Sequence, residues 1–212
     1  MNKTDICNIA LSRIGNAANV SSIDPPEASA EAEHCAKFYD ISRKLMLESF
    51  NWSFAVKHVD LGLVAESVND YQYVYALPSD LIKLISVYED GGTFEPLNQE
   101  WLIGQYGKEY YGHTTEMHNG VKSVFCNFLD CKIKYIFDQQ DTTSFSSHFV
   151  EALSWLLAHY LCGPILKQDG LRLADYCYKN YLTLSEMAKR QDVIQSKDKF
   201  ERKSSFSVAR RW

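Results

Sequence analysis

The side chains able to carry chemistry are scattered along this chain. Its six histidines are His34, His58, His113, His118, His148 and His159, and they show no spacing typical of a metal site. His148 and His159, if they share a helix, project the same way but about 16 Å apart along it, too far to hold one ion. His113 and His118 share a segment with Glu109 and Glu116, which would allow a surface metal; a solvated loop is the simpler account. Glu95, Glu100, Glu109 and Glu116 offer carboxylates for general acid–base work. With 27 acidic residues, however, such pairings arise without any catalytic purpose. No G-x-S-x-G elbow, phosphate-binding glycine loop, G-x-G-x-x-G or H-E-x-x-H motif occurs. No catalytic residue, metal ligand or cofactor is expected. The six cysteines fit that reading: Cys7, Cys35, Cys162 and Cys177 fall on apolar faces of helical patterns, and Cys126 and Cys131 lie in or beside strand patterns. With no C-x-x-C, they are expected to be buried, reduced thiols.

The elements that would position these groups are legible from periodicity. Ile6, Ala10 and Ile14 share one face of a helix expected over residues 4–14, with Gly15 as its stop. Asp24-Pro25-Pro26-Glu27 reads as the start of a second helix running to residue 49. Ala32, Cys35, Tyr39, Met46 and Phe50 form its stripe, and Arg43 sits one turn after Tyr39, where an ion-paired role is expected. From residue 51 the pattern changes to β-branched and aromatic runs, WSFAVKHVDL, YQYVYALP and KLISVYED, with a Pro78-Ser79-Asp80 interruption that could cap one helical turn. A turn is expected at residues 90–92, a short helix over 98–106 and a loop of low order over 107–120. SVFCNF and CKIKYIF then read as two strands joined at Leu129-Asp130, with Cys131, Ile133, Tyr135 and Phe137 alternating against Lys132, Lys134 and Ile136.

Helical spacing returns near Ser147. Phe149, Ala152, Leu153, Leu156, Leu157 and Tyr160 give the strongest periodic signal in the chain, and Gly163-Pro164 should kink or stop that helix. A last helix is expected over residues 171–194, with Leu173, Cys177, Tyr181, Leu184 and Ala188 on one face. Four helices with one stripe each should pack together. The expected fold class is therefore α+β, mainly α: a four-helix bundle with an inserted β-rich subdomain and an extended C-terminal arm. The expected division is residues 1–50 for the first two helices, 51–141 for the insert, 142–196 for the last two helices and 197–212 for the arm. No apolar run approaches the roughly 20 residues of a membrane span, and the start carries no secretory signal pattern, so a protein made and kept in a cytosol is expected.

The arm, KDKFERKSSFSVARRW, has six basic and two acidic residues, a net +4 that leaves −9 for residues 1–196 of a chain at −5 overall. Such a split points to a partner outside the acidic fold. Phe200, Phe206, Val208 and Trp212 supply apolar anchors, and Arg202, Lys203, Arg210 and Arg211 supply charged partners, the chemistry of binding hot spots. A solvated tail is the competing account.

Four stretches go further. They are ALSRIGNAANVSSID (10–24), CAKFYDISRKLMLESFNWSFA (35–55), YALPSDLIKLISVYED (75–90) and VEALSWLLAHYLCGPI (150–165), followed by a long helix and a basic arm. In this order they resemble the head-to-tail adaptors of short-tailed bacteriophages, the tail tubular protein A family. The most specific piece is a Tyr-x-x-x-Arg helix, Tyr39 and Arg43, running into a Trp-x-Phe-Ala strand, Trp52 and Phe54. Pro78 and Asp80 carry a Leu-Pro-x-Asp turn. Within 91–130 nothing is recognised. The resemblance implies a non-enzymatic virion protein synthesised in the host cytoplasm. It implies a homo-oligomeric, dodecameric ring beneath the portal that extends the DNA channel and offers a platform to the tail nozzle. It also implies an arm that binds the portal protein, a β insert that faces the nozzle protein, and genomic DNA passing without sequence-specific binding. Another head-completion or portal-plug subunit is the alternative. A tail-associated cell-wall hydrolase using carboxylates of the insert, and a DNA-binding module using the basic tail, are further ones.

Overall fold

The computed structural model describes residues 1–17, 19–68, 71–89, 113–127, 129–167 and 170–196. Its helices are α1 (Lys3–Arg13), α2 (Ala30–Glu48), α3 (Ser147–Leu166) and α4 (Gly170–Ser196). Its strands are β1 (Val56–Asp60), β2 (Leu63–Val68), β3 (Tyr71–Ala76), β4 (Leu81–Glu89), β5 (Thr114–His118), β6 (Val121–Cys126) and β7 (Cys131–Phe137).

Local chemistry sets the helix ends. At α1, Asn2 and Asp5 cap each other's backbone N–H groups, both at 2.8 Å, a reciprocal capping box. The helix leaves through Gly15, whose φ of +75° suits glycine. Helix α2 does not begin at Asp24-Pro25. Ile23 and Pro26 close a small bridge, Ser22 Oγ donates to the Pro25 carbonyl at 2.7 Å, and the Glu27 carboxylate accepts from Ser21. These bonds hold residues 21–27 in a turn, and Ser29 caps the helix instead, accepting from the Ala32 N–H at 3.2 Å. Helix α3 starts on Ser146, which accepts from Phe149 N–H at 3.2 Å. It runs past Gly163-Pro164 to Leu166, because a proline in the last turn removes only one helix hydrogen bond. Helix α4 turns back immediately: a Cβ on Gly170 would collide with the Cys162 carbonyl, so only glycine lets the two helices approach this closely.

Helix α3 is the hub. It packs against α1, α2 and α4, whereas α4 lies along α3 and also touches the short 3-10 turn Ser53–Ala55. Phe149, Leu153, Leu157 and Leu161 are fully buried in its core. Arg13 of α1 stacks on Trp155 at 4.2 Å and pairs with Glu151 at 2.7 Å. By length and composition α3 is apolar enough to cross a membrane, contrary to the absence of such a run expected from the sequence. Here its buried residues form the core of the helical layer, as expected of a helix apolar on most of its surface.

The β region forms two antiparallel sheets, ordered β1-β7-β4 and β2-β3-β6-β5. The chain passes between them repeatedly, and β7 is central in the first, with Ile133 opposite both Val59 and Val87. Ile136 of β7, with Val56, Ile82 and Ile85, completes the helical core. On the other side Cys131, Ile133 and Tyr135 pack with Tyr75, Val124 and Cys126 between the sheets. The layers run helices, three-stranded sheet, four-stranded sheet.

This overturns the expected four-helix bundle, mainly α, with a projecting insert. The fold is α+β, with four helices and two antiparallel sheets of seven strands among the described residues. The stripes of α1 and α2 are satisfied by α3 and by the face of the first sheet, so the helices never close around a common axis. Strands β2 and β5 were not expected from the sequence. The first, LVAESV, is short and interrupted by Glu66-Ser67, and the second lies inside the stretch read as a loop. Pro78-Ser79-Asp80 forms a tight turn, with Leu81 N–H donating to the Pro78 carbonyl at 3.2 Å. The turn expected at 90–92 and the helix at 98–106 lie outside the described residues.

Leu153→Ala should cost about 2–5 kcal/mol in urea unfolding, because it opens a cavity at the hub. Leu171→Ala, on the exposed flank of α4, should change stability by less than about 0.5 kcal/mol.

Candidate functional site

The motif residues converge on the junction between the helical layer and the first sheet. On α2, Arg43 is 1% exposed. Its Nη1 donates to Asp138 Oδ1 at 2.5 Å and to the Gln139 carbonyl at 2.8 Å, and its Nη2 reaches Asp40 Oδ1 at 3.2 Å. Lys44 Nζ lies 3.7 Å from the other Asp138 oxygen. Asp138 directly follows β7, so this cluster ties α2 to the central strand. The Asp138 N–H in turn donates to the Asp80 carbonyl at 2.7 Å. The Asp80 carboxylate accepts from Lys57 Nζ at 2.8 Å and Tyr135 Oη at 3.0 Å, and Lys57 sits 3.8 Å over the Phe137 ring.

The electrostatics follow from this geometry. Burial pushes the Asp138 carboxyl up, but the Arg43 guanidinium and Lys44 outweigh it, and the group is held below the ordinary aspartate range. Asp80 behaves alike: burial raises it, and the bonds from Lys57 and Tyr135 bring it down. Tyr135 is pushed up to about 12, by burial first and then by Asp80. Burial also pushes the Tyr39 phenol up, and its hydroxyl has no hydrogen-bond partner among the described residues. Two ionised carboxylates locked to cations form a structural clamp and are poor proton donors.

Trp52 and Phe54 build the other half of the junction. Trp52 is fully buried and donates from Nε1 to the Met46 carbonyl at 2.7 Å. It meets Phe149 edge-on at 5.0 Å between centroids, and Phe54 meets Phe149 at the same distance. Between them Ser53 donates its N–H and Oγ to Asp192, at 3.0 and 2.8 Å, fastening the end of α4 to the turn before β1.

The junction thus unites Tyr39, Arg43, Trp52, Phe54, Pro78 and Asp80 with residues the sequence reading missed, namely Asp138, Lys57, Tyr135 and Asp192. Asp138 had one weak signal, an acidic residue at the end of a strand, with nothing to say that Arg43, 95 residues earlier, would meet it. The arm residues Phe200, Arg202, Lys203, Phe206, Val208, Arg210, Arg211 and Trp212 lie outside the described residues, as do Glu95, Glu100 and Glu109. Glu116 is exposed on β5. Among the described residues no three His, Cys, Asp or Glu side chains gather as metal ligands. The cysteines are all buried and unbridged. Cys162 and Cys177 face each other across α3 and α4 with sulfurs 4.0 Å apart, and burial pushes the Cys162 thiol up to about 12.

A second feature lies on the surface of the helical layer. Aromatic rings run across three helices without a break: Phe38 stacks on Tyr160 at 5.7 Å, Tyr160 meets His159 at 5.3 Å, His159 meets Tyr178 at 5.1 Å, and Tyr178 meets Tyr181 at 5.6 Å. His159 Nδ1 bonds the Ala174 carbonyl at 3.0 Å, which fixes the ring between α3 and α4. Ile41 and Leu45 on α2, and Leu182 on α4, are exposed large apolar side chains of the same helices.

Compared with known proteins, the chain matches no family model and no curated protein.

Arg43→Ala should destabilise the fold by about 3 kcal/mol, since it leaves Asp138 without its main buried partner. The stability contributed by Asp138 is complete above the ordinary aspartate pKa of about 3.9 and is lost as pH falls through its lower folded value. Urea midpoints measured from neutral to acidic pH should therefore show wild type losing its advantage over Asp138→Asn at the acid end.

Proposed function

We propose that this chain is a virion structural protein, a head-to-tail adaptor of the short-tailed phage type. It forms a ring beneath the portal, extends the DNA channel and offers a platform to the tail nozzle. The observation that carries this reading is the ordered likeness of four stretches to that family, joined to an oppositely charged, aromatic arm.

Physical features of the chain support it. Residues 1–196 carry −9 and residues 197–212 carry +4, so the arm is suited to acidic surfaces while the body repels nucleic acid. A conduit for DNA benefits from such repulsion, which acts over about 8 Å at physiological salt. The junction clamp holds helices and sheets in fixed relation, as a load-transmitting ring subunit requires. In this reading the arm binds the portal protein, the four-stranded sheet faces the nozzle protein, and copies of the chain are neighbours around the ring. Genomic DNA passes through without sequence-specific contact. A single-arm contact repeated around a ring gains avidity without new contacts. The protein is synthesised in the host cytoplasm and acts in the virion; no catalytic chemistry is invoked.

Sedimentation of the chain with purified portal rings tests this. Full-length chain should convert from monomer into a stoichiometric ring on the portal. A variant with Phe206, Arg210, Arg211 and Trp212 all replaced by serine should bind at least about tenfold more weakly, the loss of roughly 1.4 kcal/mol or more expected for hot-spot anchors. Absence of binding by the full-length chain would overturn the reading.

A further inference from the structure

We infer that the aromatic strip across α2, α3 and α4 is a docking surface, and that its occupant in the free subunit is the chain's own segment 197–212. The strip is unusual for a surface. Tyr178 is 42% exposed, and Ile41 and Leu182, at 47% and 46%, are large apolar side chains left to solvent. Rings that meet in stacked and tilted pairs across three helices offer flat π surfaces, which suit phenyl and indole rings and arginine guanidinium groups. Segment 197–212 carries those groups: Phe200, Phe206 and Trp212, with Arg202, Arg210 and Arg211.

Its point of departure and its length fit the strip. The segment begins where α4 ends, at Ser196. Val193, Leu182 and Tyr178, all exposed, fall within about 60° of one another around α4, with the Lys189–Glu186 pair on the same side between Leu182 and Val193. Tyr178 lies roughly 27 Å from Ser196 along the axis. Ten extended residues reach about 33 Å, which brings Phe206 to Tyr178 and Tyr181. Six more add about 20 Å, enough to carry Trp212 across two helix spacings of 8–10 Å to Tyr160 and Phe38. Charge favours the return, since a +4 segment meets a body of −9. Locally, Asp175 flanks Tyr178 and Leu182 on the same side of α4, and Glu48 follows Leu45 on α2. Lys189 pairs with Glu186, Lys44 with Asp138, and Lys37 lies over Phe38, while Lys179 and Arg190 are exposed on the same stretch of α4.

The consequence rests on the adaptor reading. The same Phe206 and Trp212 that would anchor the arm to the portal are held on the strip beforehand, so the portal must displace a contact within the subunit.

The test uses the full chain alone. A photoreactive benzophenone amino acid replaces Phe206 or Trp212, and cross-links are mapped by mass spectrometry. Position 206 should link to residues 178–182, and position 212 to residues 38–45 or 159–160. The product should keep monomer mass, and its yield should hold over about a hundredfold dilution, as an intramolecular contact requires. Leu182→Glu combined with Ile41→Glu should lower the yield at least about fivefold while circular dichroism and melting temperature stay unchanged. Cross-links elsewhere, no cross-links, or links only between chains that vanish on dilution would overturn the inference; the last would assign the strip to a second copy. Failure here leaves portal binding, measured separately by sedimentation, untouched. Intact cross-links with no portal binding would sink the adaptor reading alone.

Discussion

The burial of α3 on three sides constrains every other element. Its fully buried Phe149, Leu153, Leu157 and Leu161 contribute about 1.5–3 kcal/mol each when removed from water, and no single neighbour can cover them. Helices α1, α2 and α4 each pack against it. What remains is closed by Trp52 and by the face of the first sheet, through Ile136, Ile82 and Ile85. The β region therefore belongs to the core of the helical layer, and β7 faces two cores at once: Ile136 looks toward the helices and Ile133 toward the second sheet.

Apolar packing alone would allow these layers to slide. The polar clamp at the junction restricts them. Arg43 reaches from α2 to Asp138 and the Gln139 carbonyl just beyond β7, and the backbone of Asp138 passes the constraint to the Asp80 turn. Such a buried pair fixes register more than it adds stability, because its Coulomb attraction is offset by desolvation of both ions. Ser53 and Asp192 do the same at the far end, tying α4 to the entry of β1. Arg43, Trp52 and Asp80 are thus structural: they hold α2, the turn before β1 and the end of β7 in fixed relation.

How much of this was legible follows from how local each signal is. Helices α3 and α4 were readable to within a few residues because their apolar residues repeat at helical spacing. Strand β7 was readable from its alternation, and Ile136 broke that alternation because the strand is buried on both faces. The start of α2 was misread: Asp-Pro-Pro-Glu carries helix-start chemistry, but Ser22 and Glu27 spend it on a turn. Strands β2 and β5 are not legible in the sequence because the first is short and broken by Glu66-Ser67, the second is mostly polar, and both owe their conformation to cross-strand partners such as Tyr73 and Phe125. The layer order was illegible for a similar reason. A stripe on a helix says that something covers it and does not say whether a helix or a sheet will. At the junction, Arg43 was expected to be ion-paired, but Asp138 is brought to it only by the completed fold.

The central functional claim is that this chain stands between the portal and the tail, with residues 197–212 reaching the portal. Cryo-electron microscopy of the portal vertex in intact particles tests it most directly. The account predicts a ring of this chain immediately below the portal, with density for Phe206 and Trp212 seated on portal subunits and the acidic body around the channel. Particles in which this chain lies elsewhere, or a ring whose segment 197–212 makes no portal contact, would contradict it.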